Sequence, residues 1–463
     1  ALESDTSFTA SSGQTVTINQ STITGDRAKI VKNSEIFYDG AGDEFDFTLS
    51  STFTGKMIVA STQGILVADM SLAAGTHQID QKGHGLATSN TVTNGLEQKG
   101  VMLLSDSSSP AALTSAFVAR GAVKSFAART NFNRTFRRIG LTSFPTIDGS
   151  NGVDFGYAWE GYEGTALNFA SATSLSNAWL TSYSLTSVPA IQAPVCTNFS
   201  TAFRSCTSLA TIDPNANFGE SASGVNFSLA FYLSGLTSLP DNLDMSQGDV
   251  FTSVFQSTPI TSIGTGVLLG TAAASPTVNF ASAFQSCASL AALPDNLDLS
   301  QGSVFNDAFY GCTSLATIGT GVLLGTAASG VNFTSAFQAS GLTALPADLD
   351  MSKGSSFQNT FLGCGSLATI GTGVLLGTAS SSVNFNQAFR TSGLTELPAG
   401  LDLSKGSSFS NTFRECASLA TIGTGVLLGT ASSSVDFTEA FRDTGLTALP
   451  AGLDMSQGSS FIL

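Results

Sequence analysis

The chain has little charge, little histidine and no long apolar run. Only 11% of its 463 residues are charged, whereas an ordinary soluble domain has about 25%. No uninterrupted apolar stretch reaches the roughly 18 residues that a transmembrane helix needs, so the sequence predicts no membrane span. Residues 1–5 lack the basic and apolar regions of a signal peptide, which leaves the compartment open.

Residue combinations that carry catalysis or bind metal are also missing. The two His, His77 and His84, lie in a Gly-rich stretch, and no G-x-S-x-G or H-E-x-x-H motif is present. None of the six Cys forms the C-x-x-C pair that zinc sites commonly use. The sequence therefore predicts a protein that is not an enzyme and that binds neither a metal nor a cofactor.

Basic residues are scarce in the later part of the chain. Residues 1–138 carry 12 acidic and 12 basic side chains, whereas residues 139–463 carry 21 acidic and only 6 basic ones. Such a surface repels phosphate backbones, so we expect no nucleic-acid binding. A basic group before residue 139 is either a docking patch for an acidic partner or the solvated surface of a cap. The candidate docking residues of this group are Arg129, Arg134, Arg137 and Arg138.

Phenylalanine, in contrast, is abundant and regularly spaced. A motif of Phe-x-x-x-Phe, followed three residues later by Cys, Ser or Thr and then by Leu-x-x-Leu/Ile, returns about every 26 residues. Units this small cannot bury a core alone, so the repetition predicts a stacked solenoid and not an enzyme with a pocket. Clear copies begin at Phe199, Phe227, Phe251, Phe280, Phe305, Phe333, Phe357, Phe385, Phe409 and Phe437.

Two unit lengths alternate in the later half of the chain. The unit from Phe333 to Phe357 has 24 residues, and the unit from Phe357 to Phe385 has 28. Two Phe four residues apart share one face of a short helix, and Leu-x-x-Leu/Ile suits a short strand that stacks on its neighbours. The predicted fold class is therefore α/β, with one short strand and one short helix per unit. The predicted core includes Phe305, Phe309, Phe333, Phe337, Phe357, Phe361, Phe385 and Phe389.

The spacing of the motif divides the chain into three regions. Residues 1–105 lack the repeat and contain alternating segments separated by turns, which predicts a small all-β domain for attachment or assembly. Residues 106–198 contain irregular copies, which are typical of capping units. Residues 199–463 form the regular solenoid. The irregular copies are Phe132–Phe136, Phe155–Trp159 and Leu175–Trp179.

Five of the six Cys occupy one position of the repeat. A position that accepts Cys or a small hydroxyl residue is most simply a tight, buried slot that contains a free thiol. Only Cys287 and Cys312 lie in consecutive units, so this pair alone could reach disulfide geometry. The five are Cys206, Cys287, Cys312, Cys364 and Cys416.

Three other patterns have both a structural and a chemical interpretation. The Gly371-Thr372-Gly373 segment indicates a corner, because it lacks the Gly-Lys-Ser/Thr ending of a phosphate loop. A recurring Asp followed two residues later by Ser caps a turn or binds calcium. An acidic group near residue 40 is a hairpin tip or a calcium site. The recurring Asp are Asp244, Asp298, Asp350, Asp402 and Asp454, and the acidic group is Asp39, Asp43, Glu44 and Asp46.

The segment Phe309–Ile318 and its copies resemble the BspA-like leucine-rich repeat family. Leu243–Ser246 also resembles the repeats of related bacterial surface lipoproteins, and the likeness covers about residues 113–463. The resemblance implies a leucine-rich-repeat solenoid that takes part in extracellular adhesion and protein binding. Similar repeats are also familiar from phage fibres and other virion-surface proteins.

These observations favour a non-enzymatic recognition or adhesion protein that is extracellular or on a virion surface. Because no lipobox or cell-wall anchor is visible, a phage fibre-like virion component is favoured over a bacterial BspA-like adhesin. A self-assembling fibre or filament subunit is a further alternative. The expected partners are a host-surface protein or glycan, other subunits of a virion or surface, or a second copy of the chain.

Overall fold

The computed structural model describes residues 152–158, 169–188, 190–273, 277–450 and 452–460, together with the backbone of nine strands between residues 16 and 119. The chain divides into two compact units. The first contains residues 1–185 and 191–207, and the second contains residues 186–190 and 208–463. The irregular copies of the Phe motif fall in the first unit, and the regular copies from Phe227 onward fall in the second.

The early part of the first unit contains nine strands. They are β1 (Val16–Asn19), β2 (Arg27–Val31), β3 (Glu35–Asp39), β4 (Glu44–Leu49), β5 (Phe53–Ser61), β6 (Gly64–Leu72), β7 (Gly75–Asp80), β8 (Leu103–Asp106) and β9 (Val118–Ala119). They form three antiparallel sheets with the orders β1-β4-β7-β8, β2-β3 and β5-β6-β9. The longest pairing joins β5 to β6 through a tight hairpin.

The later part of the first unit brings three segments into parallel contact. Bridges link Asp154 to Ser174 and Ser174 to Asn198. The ring of Trp179 stacks on that of Phe203, with centroids 4.9 Å apart and an interplanar angle of 12°. Trp179 therefore packs where a regular unit has its second Phe. Two parts of the predicted irregular copies, Phe132–Phe136 and Trp159, lie outside the described residues.

The second unit is a parallel β-solenoid of about 11 turns, which we call rungs, between residues 187 and 460. This confirms the predicted repeat solenoid. Its strands are β10 (Ser187–Val188), β11 (Thr211–Ile212), β12 (Val225–Asn226), β13 (Ser238–Leu239), β14 (Asp244–Met245), β15 (Gly248–Val250), β16 (Ser262–Ile263), β17 (Leu268–Leu269), β18 (Val278–Asn279), β19 (Ala292–Leu293), β20 (Asp298–Leu299), β21 (Gly302–Val304), β22 (Thr317–Ile318), β23 (Leu323–Leu324), β24 (Val331–Asn332), β25 (Ala344–Leu345), β26 (Asp350–Met351), β27 (Gly354–Ser356), β28 (Thr369–Ile370), β29 (Leu375–Leu376), β30 (Val383–Asn384), β31 (Glu396–Leu397), β32 (Asp402–Leu403), β33 (Gly406–Ser408), β34 (Thr421–Ile422), β35 (Leu427–Leu428), β36 (Val435–Asp436) and β37 (Gly458–Ser460).

These strands stack in parallel from rung to rung. One side of the solenoid is a ten-stranded sheet with the order β12-β15-β18-β21-β24-β27-β30-β33-β36-β37. On the other sides, neighbouring rungs pair as two-stranded sheets, such as β25 with β28 and β26 with β29. Each strand has only two or three residues, so its stability depends on the rungs above and below it.

The predicted short helix is wrong, because the segment that contains the two Phe forms successive β-turns. No helix occurs among the described residues. Thr360 N donates to Phe357 O at 3.1 Å, and Asn359 between them has a φ of 58°, which an α-helix does not allow. Phe361 N donates to Ala388 O of the next rung at 2.8 Å. In an α-helix that N–H group would donate to the carbonyl four residues earlier. Here it donates to the next rung, so hydrogen bonds between rungs take the place of helical ones.

Two ladders of stacked Phe rings fill the core of the second unit. Ring centroids of successive rungs are 5.1 to 5.7 Å apart, and the interplanar angles are 7° to 28°. The eight Phe expected in the core, from Phe305 to Phe389, are at most 1% exposed. Burial of each ring contributes roughly 1.5–3 kcal/mol, and this gain needs neighbouring rungs on both sides.

The Gly-x-Gly segment is a corner of the solenoid. A Cβ on Gly371 would lie 2.5 Å from the backbone nitrogen of Ala347 in the preceding rung, and Gly373 has a φ of +75°. Gly371 N also donates to Leu345 O at 2.9 Å. Close backbone contact and a left-handed conformation therefore explain the two glycines, as the sequence predicted.

Candidate recognition surface

One outer surface of the second unit combines carboxylates with exposed leucines. Four of the five recurring Asp pair in parallel register with the first Leu of the Val-Leu-Leu-Gly segment in the next rung, as in Asp350↔Leu375. Stacked strands lie about 4.8 Å apart, so residues of the same type recur about every 10 Å. We call this surface the Asp–Leu face. Its members are Asp244, Leu268, Asp298, Leu323, Asp350, Leu375, Asp402 and Leu427.

Local hydrogen bonds hold the Asp side chains of this face. Asp350 Oδ1 accepts a hydrogen bond from Ser352 N at 2.8 Å, while Met351 between them is buried. The same bond measures 2.8 to 2.9 Å at Asp244, Asp298, Asp402 and Asp454. The predicted capping role is therefore confirmed. At Asp454 this bond from Ser456 N stabilises the ionised carboxylate and lowers its pKa.

The Leu side chains of the face come from a strand with alternating orientation. Val374 and Leu376 are buried, whereas Leu375 between them is 39% exposed. Leu268, Leu323 and Leu427 have 38% exposure. None of these Leu residues was among the binding residues predicted from the sequence. The available signal was the Val-Leu-Leu-Gly segment, whose middle residue must point outward when its two neighbours point into the core.

The carboxylates of the Asp–Leu face make no ion pair with any described residue. The ion pairs that join two described residues lie near the last rungs. There Arg390 pairs with Glu415 at 3.1 Å, and Glu439 pairs with Arg414 and with Arg442. These residues lie in or next to the Phe motif, outside the Asp–Leu face. The negative charge of the face is therefore not neutralised by a described cation.

The column of Cys is buried and its thiols are free, as predicted. Cys364 Sγ lies 3.1 Å from Phe337 O in the preceding rung and 3.3 Å from Ser340 Oγ. Cys287 and Cys312 are also free, so the one pair that could have formed a disulfide is not bonded. Burial raises the pKa of all six thiols. A buried thiol with a raised pKa is a poor nucleophile.

Several predicted site residues lie outside the described part of the chain. Among those that are described, no group of three or more His, Cys, Asp or Glu could hold a metal ion. None of them forms a helix with the length and hydropathy needed to span a bilayer. Arg129, Arg134, Arg137, Arg138, His84 and Asp43 lie outside the described residues, and His77, Asp39, Glu44 and Asp46 lie in strands whose side chains are not described.

No protein-family model, curated protein or solved structure matches the chain.

Proposed function

We propose that the protein is a non-enzymatic recognition protein and that the Asp–Leu face contacts its partner. The observation that carries this proposal is the alternation of Asp and Leu over eight successive rungs, from Asp244 to Leu427. A stacked solenoid holds such a pattern rigidly over a long distance, which suits binding to an extended surface. Catalysis instead needs a few polar groups that converge in a pocket.

The setting that we propose is the surface of a virion, in a phage fibre-like component, or another extracellular surface. A bacterial BspA-like adhesin is the alternative. The likeness of Phe309–Ile318 and its copies to BspA-like leucine-rich repeats supports both settings. The partner is then a molecule on a host or on a neighbouring surface.

Binding of the labelled full chain to intact cells tests this function. We expect saturable binding to some bacterial strains related to the source, and displacement of the label by excess unlabelled chain. Immunogold microscopy of virions and cells from the same source separates the two settings. If the chain binds no cell, no virion and no member of protein and glycan arrays, recognition is contradicted. If the chain instead chemically converts a protein or glycan that it binds on an array, it is an enzyme.

A further inference from the structure

We infer that the partner of the Asp–Leu face is a cationic, amphipathic polypeptide segment, in the form of a helix that lies along the solenoid axis. This inference rests on the proposed recognition function and deepens it by stating the chemistry of the partner. Three properties of the face lead to it, namely its charge, its exposed leucines and the spacing of its rows.

Charge determines the sign of the partner. The Asp residues of the face accept hydrogen bonds from backbone N–H groups and have no ion-pair partner among the described residues. Exposed Asp295 and Asp348 lie two or three residues before Asp298 and Asp350 and add to the negative potential. Lys353 and Lys405 follow Asp350 and Asp402 by three residues, but the total, with six Asp against two Lys, remains negative. A cationic segment therefore gains attraction here, and an anionic one is repelled.

The exposed leucines require that the partner also carry apolar groups. A row of Leu lies between each two rows of Asp, because Leu323 pairs with Asp298 and Leu375 pairs with Asp350. A single exposed Leu is normal on a protein surface. Here four of them, each 38–39% exposed, recur at one position of the repeat and alternate with the Asp rows. A partner with basic residues alone would leave these Leu side chains in water.

The spacing of the rows favours a helix. Asp and Leu rows alternate about every 4.8 Å along the axis. An α-helix advances about 5.4 Å per turn, so residues at i, i+4, i+7 and i+11 present one side chain per turn on one face. In a partner helix with Lys and Leu alternating at those positions, each Lys faces an Asp of the Asp–Leu face and each Leu faces a Leu. The difference of about 0.6 Å per row adds up to about 2 Å over four successive rows, which flexible Lys side chains can span.

The test uses the full chain and three synthetic helical peptides of equal length. The first presents Lys and Leu alternately, once per turn, on one face, with Ala and Gln elsewhere. In the second peptide Glu replaces Lys, and in the third Ser replaces Leu. Titration calorimetry measures Kd at low and at physiological salt. We expect the Lys/Leu peptide to bind most tightly and its affinity to fall as salt rises.

Charge variants of the face are made with Asn, because Asn keeps the Oδ1 acceptor of the cap. Asn332 makes this bond naturally, to Thr334 N at 2.9 Å. We expect the triple variant D298N/D350N/D402N to raise the Kd of the Lys/Leu peptide about tenfold. The matched control, D307N/D436N, removes carboxylates from outside the face and is expected to leave Kd unchanged.

Leu variants test the apolar part of the contact. We expect L323S/L375S to raise the Kd of the Lys/Leu peptide about tenfold. The control L233S changes an equally exposed Leu, with 43% exposure, outside the face. It is expected to leave the Kd unchanged. Because the substituted Leu side chains are partly in water, the thermal unfolding midpoint of each variant should stay close to that of the parent chain.

Three results would overturn the inference. In the first, the Glu/Leu peptide binds as well as the Lys/Leu peptide. In the second, neither set of face variants weakens binding. In the third, the Lys/Ser peptide binds equally well and Leu is irrelevant, which indicates unspecific electrostatic attraction. If the labelled chain still binds cells in any of these cases, recognition stands and only the inferred cationic, amphipathic partner is wrong. If the chain binds nothing, the proposed function fails as well.

Discussion

Cys364 donates its thiol hydrogen to the main-chain oxygen of Phe337 in the preceding rung, with 3.1 Å between sulfur and oxygen. The same bond measures 3.0 to 3.1 Å at Cys287, Cys312 and Cys416. Thr258, at the equivalent position of another rung, donates its hydroxyl to Phe255 O of that same rung at 2.7 Å. The position therefore accepts a small side chain whose donor Cys and Thr use, whereas the buried Ser234 Oγ has no hydrogen-bond partner among the described residues.

Removal of that donor should destabilise the solenoid, whereas its replacement by another donor should not. For Cys364→Ala we expect a loss of about 1–3 kcal/mol in the free energy of unfolding, from a lost hydrogen bond and a small cavity. Cys364→Ser keeps the donor and should cost less. Urea unfolding followed by circular dichroism measures both. Equal midpoints for the two variants would show that the bond contributes nothing.

The thiols should be unreactive while the chain is folded. Burial raises the pKa of Cys206 from an ordinary 9.0 to about 12 and raises that of the other five. Little thiolate therefore exists near pH 8, and the sulfur atoms are covered. With a colorimetric thiol reagent we expect no reaction in buffer and six reactive thiols in denaturant. A fast reaction of even one thiol in buffer would contradict this prediction.

The same pKa shift predicts how stability depends on pH. The unfolded thiol ionises near 9.0, whereas the folded Cys206 thiol ionises near 12. The stability associated with the protonated thiol is therefore complete below pH 9.0 and is lost as pH rises towards 12. The urea concentration at the unfolding midpoint should therefore be lower at the alkaline end of this window than below pH 9.0. A variant with Ser in place of the buried Cys should lose less stability over the same range.

Substitution by alanine should have opposite effects on stability at Gly371 and at Gly365. A Cβ on Gly371 would lie 2.5 Å from Ala347 N, and neither backbone can move away without breaking the stack. Gly371→Ala should therefore cost about 1–3 kcal/mol. At Gly365 no atom lies within 4 Å of the added Cβ, so Gly365→Ala should be neutral or stabilise by about 0.4–1 kcal/mol. Thermal unfolding of both variants in parallel decides this, and a similar loss in both would refute it.

Removal of one ring should interrupt the Phe ladder. Phe357 is 1% exposed and stacks at 5.4 Å on Phe333 and at 5.2 Å on Phe385. We expect Phe357→Ala to cost about 3–5 kcal/mol, with the loss concentrated in the adjacent rungs because each rung contacts only its neighbours. Hydrogen exchange along the chain measures this. The control Ser366→Ala changes an exposed polar residue of the same rung, and its exchange should match that of the parent.

The rungs and their core were predictable from local spacing. The intervals between Phe333, Phe357 and Phe385 equal the unit lengths, so stacking of equivalent units brings the three rings together in the core. All three are buried. The capping role of Asp350 was equally predictable, because its partner Ser352 lies two residues away. Both inferences need only the residues of one unit and the fact that units repeat.

The helix was wrong for a reason that lies outside the unit. Phe357 and Phe361 are four residues apart, which suits a helix and also suits successive β-turns with a left-handed residue between them. The hydrogen bond from Phe361 N to Ala388 O decides between the two, and its acceptor is 27 residues away. The common face of Leu375 and Asp350 was missed for a related reason, because it depends on the register between two rungs.

The sequence by itself determined which residues repeat, which of them are apolar enough to form the core, where a small side chain or a glycine is required, and which Asp caps its own backbone. Those properties depend on composition and on neighbours a few residues away. The tertiary structure alone decided that the Phe segments form β-turns, that the thiols bond to the preceding rung, and that Asp and Leu share one outer face. Each of these depends on partners 24 to 32 residues away in the next or preceding rung, as at Asp350↔Leu375 and at Cys287 with Phe255.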